Sequence, residues 1–85
     1  MMSQYTIYTM PNCPHCVSAK ELFKREGLQF TEITDFTPEQ LIAAVGPVRT
    51  LPQIILEGSE RQHIGGYTDL LKYRAGDFSS LRKIA

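Results

Sequence analysis

Apolar residues recur at two spacings along this chain, and proline and glycine divide the stretches that carry them. Tyr5-Thr6-Ile7-Tyr8-Thr9 is β-branched or aromatic throughout, which predicts a strand. Its near-continuous apolar character predicts a central strand covered on both faces. Met10-Pro11-Asn12 breaks it. From Val17 to Glu26 the pattern is helical, and Pro14 suits the first position, where a missing N–H costs nothing. Cys16, Ala19, Leu22 and Phe23 share one face of that helix, while Lys20, Glu21, Lys24 and Arg25 fall mostly elsewhere. Gly27 supplies its C-terminal stop.

Leu28-Gln29-Phe30-Thr31-Glu32-Ile33 alternates apolar and polar, a strand pattern. Strand, helix and strand over this distance make a βαβ unit, so the two strands are expected to be parallel. A second helix starts at Thr37-Pro38-Glu39-Gln40, with Thr37 as cap and Gln40 completing a capping box. Phe36 and Leu41 are spaced for a hydrophobic staple. Leu41, Ile42 and Val45 are expected to face the core, and Gly46-Pro47 stops the helix. Gln53 to Glu57 reads as a third strand, Gly58-Ser59-Glu60 as a turn, and Arg61 to Ile64 as an antiparallel fourth. Gly65-Gly66 leads to a last helix from about Thr68, interrupted at Gly76-Asp77. Phe78, Leu81 and Ile84 predict a short final helical turn.

Composition narrows the classes. A chain of 85 residues is expected to form one domain, residues 1–85, with one modest core. The formal net charge is zero and the charges are scattered. Nucleic acid and anionic membrane surfaces call for a basic patch, so neither is the expected partner. No apolar run approaches the roughly 20 residues of a membrane span. Met1-Met2-Ser3-Gln4 lacks the basic start and apolar block of a signal peptide. A cytoplasmic location is expected, where thiols are kept reduced.

Both cysteines of the chain lie in Cys13-Pro14-His15-Cys16, between the first strand and the first helix. A pair at this join points to thiol–disulfide chemistry. Cys13 precedes the helix, where unpaired N–H groups and the macrodipole favour a thiolate. Cys16 lies in the first turn on the buried side and is expected to be less exposed. Cys13 is therefore the expected nucleophile and Cys16 the resolving thiol. Pro14 stiffens the turn. His15, when protonated, adds positive charge beside Cys13, lowers its pKa further and makes the disulfide more oxidising. A static crosslink would add little stability across so short a loop. Zinc is the other alternative, with Cys13, His15 and Cys16 as possible ligands. A closed zinc site needs four well-spread ligands, and the only other histidine is His63. No metal is expected.

With these residues in view, the chain resembles a glutaredoxin. Three segments carry the resemblance: Cys13-Pro14-His15-Cys16, Thr50-Leu51-Pro52-Gln53, and His63-Ile64-Gly65-Gly66-Tyr67-Thr68-Asp69. The resemblance implies an α/β domain of the minimal thioredoxin fold. That fold is a four-stranded mixed sheet flanked by helices on both faces, in the order β-α-β-α-β-β-α. It implies a cis peptide before Pro52, with Leu51 pairing to a bound peptide's backbone like an added strand. The other reading of Pro52 is a trans proline opening an edge strand.

The resemblance also implies glutathione as reductant, in contact with His15, Thr50, Leu51, Pro52, Gly66, Tyr67, Thr68 and Asp69. Asp69 would face the ammonium group of glutathione. Thr68 and Asp69 are equally good helix-capping residues, Tyr67 a half-buried packing residue, and His63 a strand-surface residue. Disulfide-containing proteins are the implied partners, ribonucleotide reductase being the family-level candidate, and a monomer is expected.

Two positions depart from the family pattern. His15 stands where tyrosine or phenylalanine is usual; Cys-Pro-His-Cys is found in strongly oxidising periplasmic thiol oxidases of the same fold. Met10 stands where Lys or Arg often contacts the glycine carboxylate of glutathione; Arg49 and Lys20 are the candidate substitutes. Two rival functions are weighed against this one, and Thr68-Asp69 argues against the first. One is a small redoxin reduced by thioredoxin reductase, a group that lacks the Thr-Asp segment. The other is an iron–sulfur carrier using Cys13 and glutathione between two protomers, which Cys16 and the bulky Pro14-His15 disfavour.

Overall fold

The computed structural model describes residues 4–48, 50–58 and 60–76, together with the backbone of residues 82 and 83. The strands are β1 (Tyr5–Tyr8), β2 (Phe30–Ile33), β3 (Gln53–Leu56), β4 (Gln62–Gly65) and β5 (Arg82–Lys83). The helices are α1 (Pro14–Arg25), α2 (Pro38–Val45) and α3 (Tyr67–Arg74). The sheet order is β2-β1-β3-β4-β5, with β1 and β2 parallel and the other neighbours antiparallel. This is the expected mixed sheet of a minimal thioredoxin fold, with β1 inside it as its composition predicts.

One difference from the sequence reading concerns the C-terminal end. The sheet has a fifth strand, because β5 pairs with the edge of β4. Backbone groups on a strand edge need partners, and two residues of pairing supply some of them. The predicted helical turn at Phe78, Leu81 and Ile84 falls outside the described residues, as does Ser59 of the predicted turn.

The sheet separates two apolar layers. On one face α1 and α3 cover it: Ala19, Leu22, Phe23 and Leu70 pack with Tyr5, Ile7, Ile54 and Ile64. Tyr5 stacks on Phe23 with ring centroids 4.7 Å apart. Fully burying a side chain such as Phe23 contributes roughly 1.5–3 kcal/mol. On the other face Leu41 and Val45 of α2 pack with Ile55, flanked by Tyr8, Phe36 and Leu51. Ile54 and Ile55 are consecutive and fully buried, one in each layer, as the alternation of a strand requires.

Ile42 was expected in the core and is instead 47% exposed. A helix of eight residues presents only a narrow stripe to the sheet, and Leu41 and Val45 fill it. The capping box at Thr37 and Gln40 is present as expected. An ion pair between Arg74 and Glu26 ties the last turn of α3 to the end of α1. Among the described residues, no helix is long and apolar enough to cross a membrane.

Candidate active site

The chain leaves β1 at Tyr8 and turns at Pro11-Asn12. Asn12 has φ 58°, a left-handed conformation that asparagine tolerates better than most residues. This turn delivers Cys13 to the N-cap of α1 in extended conformation, with Pro14 in the first turn behind it. Cys13 Sγ accepts a hydrogen bond from the Cys16 backbone N–H at 3.2 Å. The two cysteines are joined as a disulfide, so this is the oxidised form. Both are buried, Cys13 at 6% exposure and Cys16 at 1%, so Cys13 is the more accessible by a small margin. Cys16 belongs to the buried stripe of α1.

The Leu51–Pro52 peptide is cis. The Leu51 carbonyl oxygen lies 3.7 Å from Cys13 Sγ, so this loop forms the wall facing the reactive sulfur. A chain of side-chain contacts supports the loop from below. The Gln53 amide donates to the Thr50 carbonyl at 2.8 Å and to the Thr50 hydroxyl at 3.3 Å. His63 Nε2 lies 2.6 Å from Gln53 Oε1. The expectation that His63 is a strand-surface residue is wrong: it is 3% exposed. A polar ring is tolerated inside when it is hydrogen-bonded, and Gln53 provides that bond.

A bulge interrupts the pairing of β3 with β4. Ile54 pairs with Gly65 and Ile55 with His63, leaving Ile64 as an extra residue. Gly65 has φ 117°, and a Cβ there would lie 2.4 Å from Asp69 Oδ2. Only glycine fits this conformation and this approach. Gly66, not Thr68, is the N-cap of α3. Glycine brings no capping side chain, and the Asp69 carboxylate does the work instead, accepting from the Gly66 N–H at 3.0 Å. Thr68 is left exposed on the first turn. Tyr67 is half-buried, and its ring stacks on that of His15 with centroids 6.0 Å apart.

These segments enclose a groove of about 370 Å³. His15, Thr50, Leu51 and Pro52 line it together with Gly66, Tyr67, Thr68 and Asp69. All eight residues that the sequence nominated for glutathione therefore share one groove, and the Leu51 contact joins it to Cys13. Val48, Gln53, His63 and Gly65 also line it and were not nominated. The signal for Gln53 and His63 lay in the predicted hairpin, which sets two polar residues on neighbouring strands. The N-terminal turn of α3 favours an anion, while Asp69, whose carboxylate accepts from the Gly66 N–H, sets a negative charge in the same groove. The groove thus suits a zwitterionic amino-acid group.

Of the basic candidates near Met10, Lys20 is committed elsewhere. Its Nζ donates to Glu32 Oε2 at 2.8 Å, and the Thr9 hydroxyl donates to the same oxygen at 2.6 Å. These two bonds, Lys20 first, hold the Glu32 carboxyl below its ordinary pKa. Arg49 lies outside the described residues. Met10 is half-exposed and lines a second, mainly apolar groove with Phe36, Leu41, Val48 and Leu51. Among the described residues, no three His, Cys, Asp or Glu side chains converge as a metal site would need.

The sequence matches the family model described as Glutaredoxin over residues 5–60. It is 39% identical over 85 residues to a glutaredoxin of Pseudomonas aeruginosa, covering 94% of this chain and 96% of that one. It is 36% identical over 69 residues to glutaredoxin 1 of Rickettsia typhi, covering 75% of this chain and 64% of that one. It is 40% identical over 72 residues to the hybrid peroxiredoxin hyPrx5 of Haemophilus influenzae; 82% of this chain is covered, and the match spans only 29% of that longer protein. Among solved structures, a glutaredoxin from Brucella melitensis superimposes with a TM-score of 0.65 at 38% identity, over 91% of this chain and 84% of that one. Glutaredoxin 1 from Francisella tularensis gives 0.66 at 29% identity, over 85% of this chain and 92% of that one.

Proposed function

Because the chain belongs to the glutaredoxin family, we propose that it is a dithiol thiol–disulfide oxidoreductase that draws its electrons from glutathione. One observation carries the reading: a cysteine pair at the start of a helix faces a cis-proline loop, and the groove this loop borders holds the N-terminal turn of α3 and the Asp69 carboxylate.

The Cys13 thiolate attacks one sulfur of a protein disulfide. A Cys13–protein mixed disulfide forms and the other protein sulfur leaves as a thiolate. The Cys16 thiolate then attacks Cys13 Sγ, releasing the fully reduced protein and closing the Cys13–Cys16 disulfide. Two glutathione thiols reopen it. The first makes a Cys13–glutathione mixed disulfide, and the second takes that glutathione away as oxidised glutathione. A glutathione mixed disulfide on a protein needs only Cys13, which takes the glutathione and frees the protein thiol. The Cys16 N–H, 3.2 Å from Cys13 Sγ, supports the nucleophilic role by stabilising charge on that sulfur.

In this reading Leu51 pairs with the backbone of bound glutathione, the N-terminal turn of α3 holds its γ-glutamyl carboxylate, and Asp69 faces its ammonium. His15 and Tyr67 flank the groove. The setting is the reducing cytoplasm, the protein acts as a monomer, and its substrates are disulfide-bearing proteins such as ribonucleotide reductase.

The test is glutathione-coupled reduction of a small mixed disulfide and of a protein disulfide. Cys13→Ser is expected to abolish both reactions. Cys16→Ser keeps the first and loses dithiol reduction of the second. Turnover that persists in Cys13→Ser rejects the assignment, and turnover with thioredoxin reductase but not glutathione rejects the electron donor.

A further inference from the structure

His15 and Tyr67 belong to different helices and meet at the groove. His15 stands in the first turn of α1, two residues after Cys13, and Tyr67 opens α3. Their rings stack with centroids 6.0 Å apart and planes 29° from parallel. The two side chains are held unequally. Tyr67 is half-buried and packs against the core layer of α1 and α3, whereas His15 is exposed. An exposed side chain keeps its rotamer freedom until a contact holds it, and a charge that moves through water is screened. The anchored Tyr67 ring gives the imidazole a fixed surface. An aromatic face also attracts a cation within about 6 Å, so the stack persists when the imidazole is charged.

From this we infer that Tyr67 is a positioning residue: it fixes the charge of His15 on the groove side of Cys13 and so sets how oxidising the Cys13–Cys16 disulfide is. The inference rests on the thiol–disulfide reading above and gives Tyr67 a part in it beyond lining the groove. The direction follows from where the stack lies. His15, Tyr67 and Leu51 line one groove, and the Leu51 carbonyl is 3.7 Å from Cys13 Sγ. The stacked imidazole therefore stays on that side of α1, and without the stack it is free to turn into solvent. The equilibrium it acts on is simple. The reduced pair and oxidised glutathione become the Cys13–Cys16 disulfide and two glutathione thiols, two electrons and two protons passing to glutathione. Only the reduced side carries a thiolate at Cys13, so a nearby positive charge stabilises that side. Loss of the stack weakens this support and makes the disulfide more reducing. Asp69 of α3 and His63 of β4 also line the groove and carry or acquire charge. Both remain when Tyr67 alone is changed, so they cancel in the comparison.

The experiment places Tyr67→Leu and Tyr67→Phe in the wild-type chain and in His15→Ala. Each protein is equilibrated with glutathione buffers at about pH 6, where imidazoles carry charge, and at about pH 9, where they are neutral. The pH profile of Cys13 alkylation by iodoacetamide reads the thiolate directly. At the lower pH, Tyr67→Leu is expected to move the equilibrium constant about threefold toward the disulfide. It should also raise the pH at which Cys13 becomes reactive. The shift should vanish at the higher pH. Tyr67→Phe keeps the ring face and should keep the wild-type constant. In the His15→Ala background, Tyr67→Leu should move nothing. An unchanged constant in Tyr67→Leu overturns the inference and leaves the proposed function standing. So does an equal shift in the His15→Ala background, which means that Tyr67 acts without His15. A shift of opposite sign overturns it too, because the stack then draws the imidazole off the sulfur. A second measurement needs no variant. Proton NMR should show the His15 ring resonances displaced upfield by the Tyr67 ring, and their absence of displacement overturns the inference. A wild type that does not equilibrate with glutathione removes the proposed function itself, and this inference with it.

Discussion

His63 and Gln53 meet inside the protein on neighbouring strands, with His63 Nε2 2.6 Å from Gln53 Oε1. The Gln53 nitrogen already donates to Thr50, so its oxygen is the acceptor and His63 Nε2 carries the proton. The pair thereby braces Thr50 and, one residue on, the cis loop that faces Cys13. His63→Phe should leave Gln53 Oε1 buried without this donor, at a cost of about 1–3 kcal/mol. With the loop loosened, KM for glutathione should rise several-fold more than kcat falls. Urea unfolding and steady-state kinetics read the two effects. A stability loss with unchanged KM would limit His63 to packing.

Gly65 and Gly66 are adjacent but constrained differently. Gly65→Ala needs φ 117° and pushes a methyl group onto Asp69, so it should cost about 2–4 kcal/mol, part strain and part lost cap. At Gly66 the nearest atom to an added Cβ is the Pro52 carbonyl oxygen at 3.5 Å, an ordinary contact. Gly66→Ala should cost under about 1 kcal/mol. Equal unfolding midpoints for the two variants would contradict this account of the turn.

Glu32 gathers Lys20 and Thr9 and so joins β2, α1 and the end of β1. Its folded pKa lies below the unfolded one, chiefly because of Lys20. The stabilisation is therefore present above the unfolded value, about 4.3, and is lost as pH falls through the lower folded value. The groups are partly exposed, so Glu32→Gln should cost under about 1 kcal/mol at pH 7. Once the pH is below the lowered folded value, wild type and variant should converge. Chemical denaturation at several pH values checks this, and a gap that widens in acid would reverse the sign argued here.

His15 is exposed and stacks on Tyr67. His15→Tyr removes a group able to carry positive charge next to the Cys13 thiolate. The reduced form should lose stability and the disulfide should become more reducing, by an amount on the order of tens of millivolts. Redox titration against glutathione measures it; no change in potential would confine His15 to shaping the groove.

The elements were legible because punctuation and periodicity agreed. Pro38 and Gln40 mark α2, Gly27 ends α1, and the β-branched runs mark β1 and β3. What stayed hidden depends on pairing between distant residues. The bulge at Ile54 and Ile55 has no local signature, because one extra residue in β4 is defined only against β3. Thr68 read as a cap by residue type, yet Asp69 reaches back to Gly66 and moves the helix start. His63 read as a surface residue because its burial depends on Gln53. Of the site, the nominated groove residues were legible from three motifs. The apolar groove was not, because Met10, Phe36 and Val48 become neighbours only once the chain has folded.

The two layers flanking the sheet are unequal, and this bears on how the protein breathes. Among the described residues, eight buried side chains make up the layer of α1 and α3, whereas α2 rests on Leu41, Val45 and Ile55. Local opening costs less where less surface is buried. Native-state hydrogen exchange should show α2 amides opening at a lower free energy than those of α1. Phe36 and Leu41 belong to this lightly held layer and also line the apolar groove. The apolar groove would then be the part of the surface most able to adjust its shape, while Cys16 stays on the more heavily packed side.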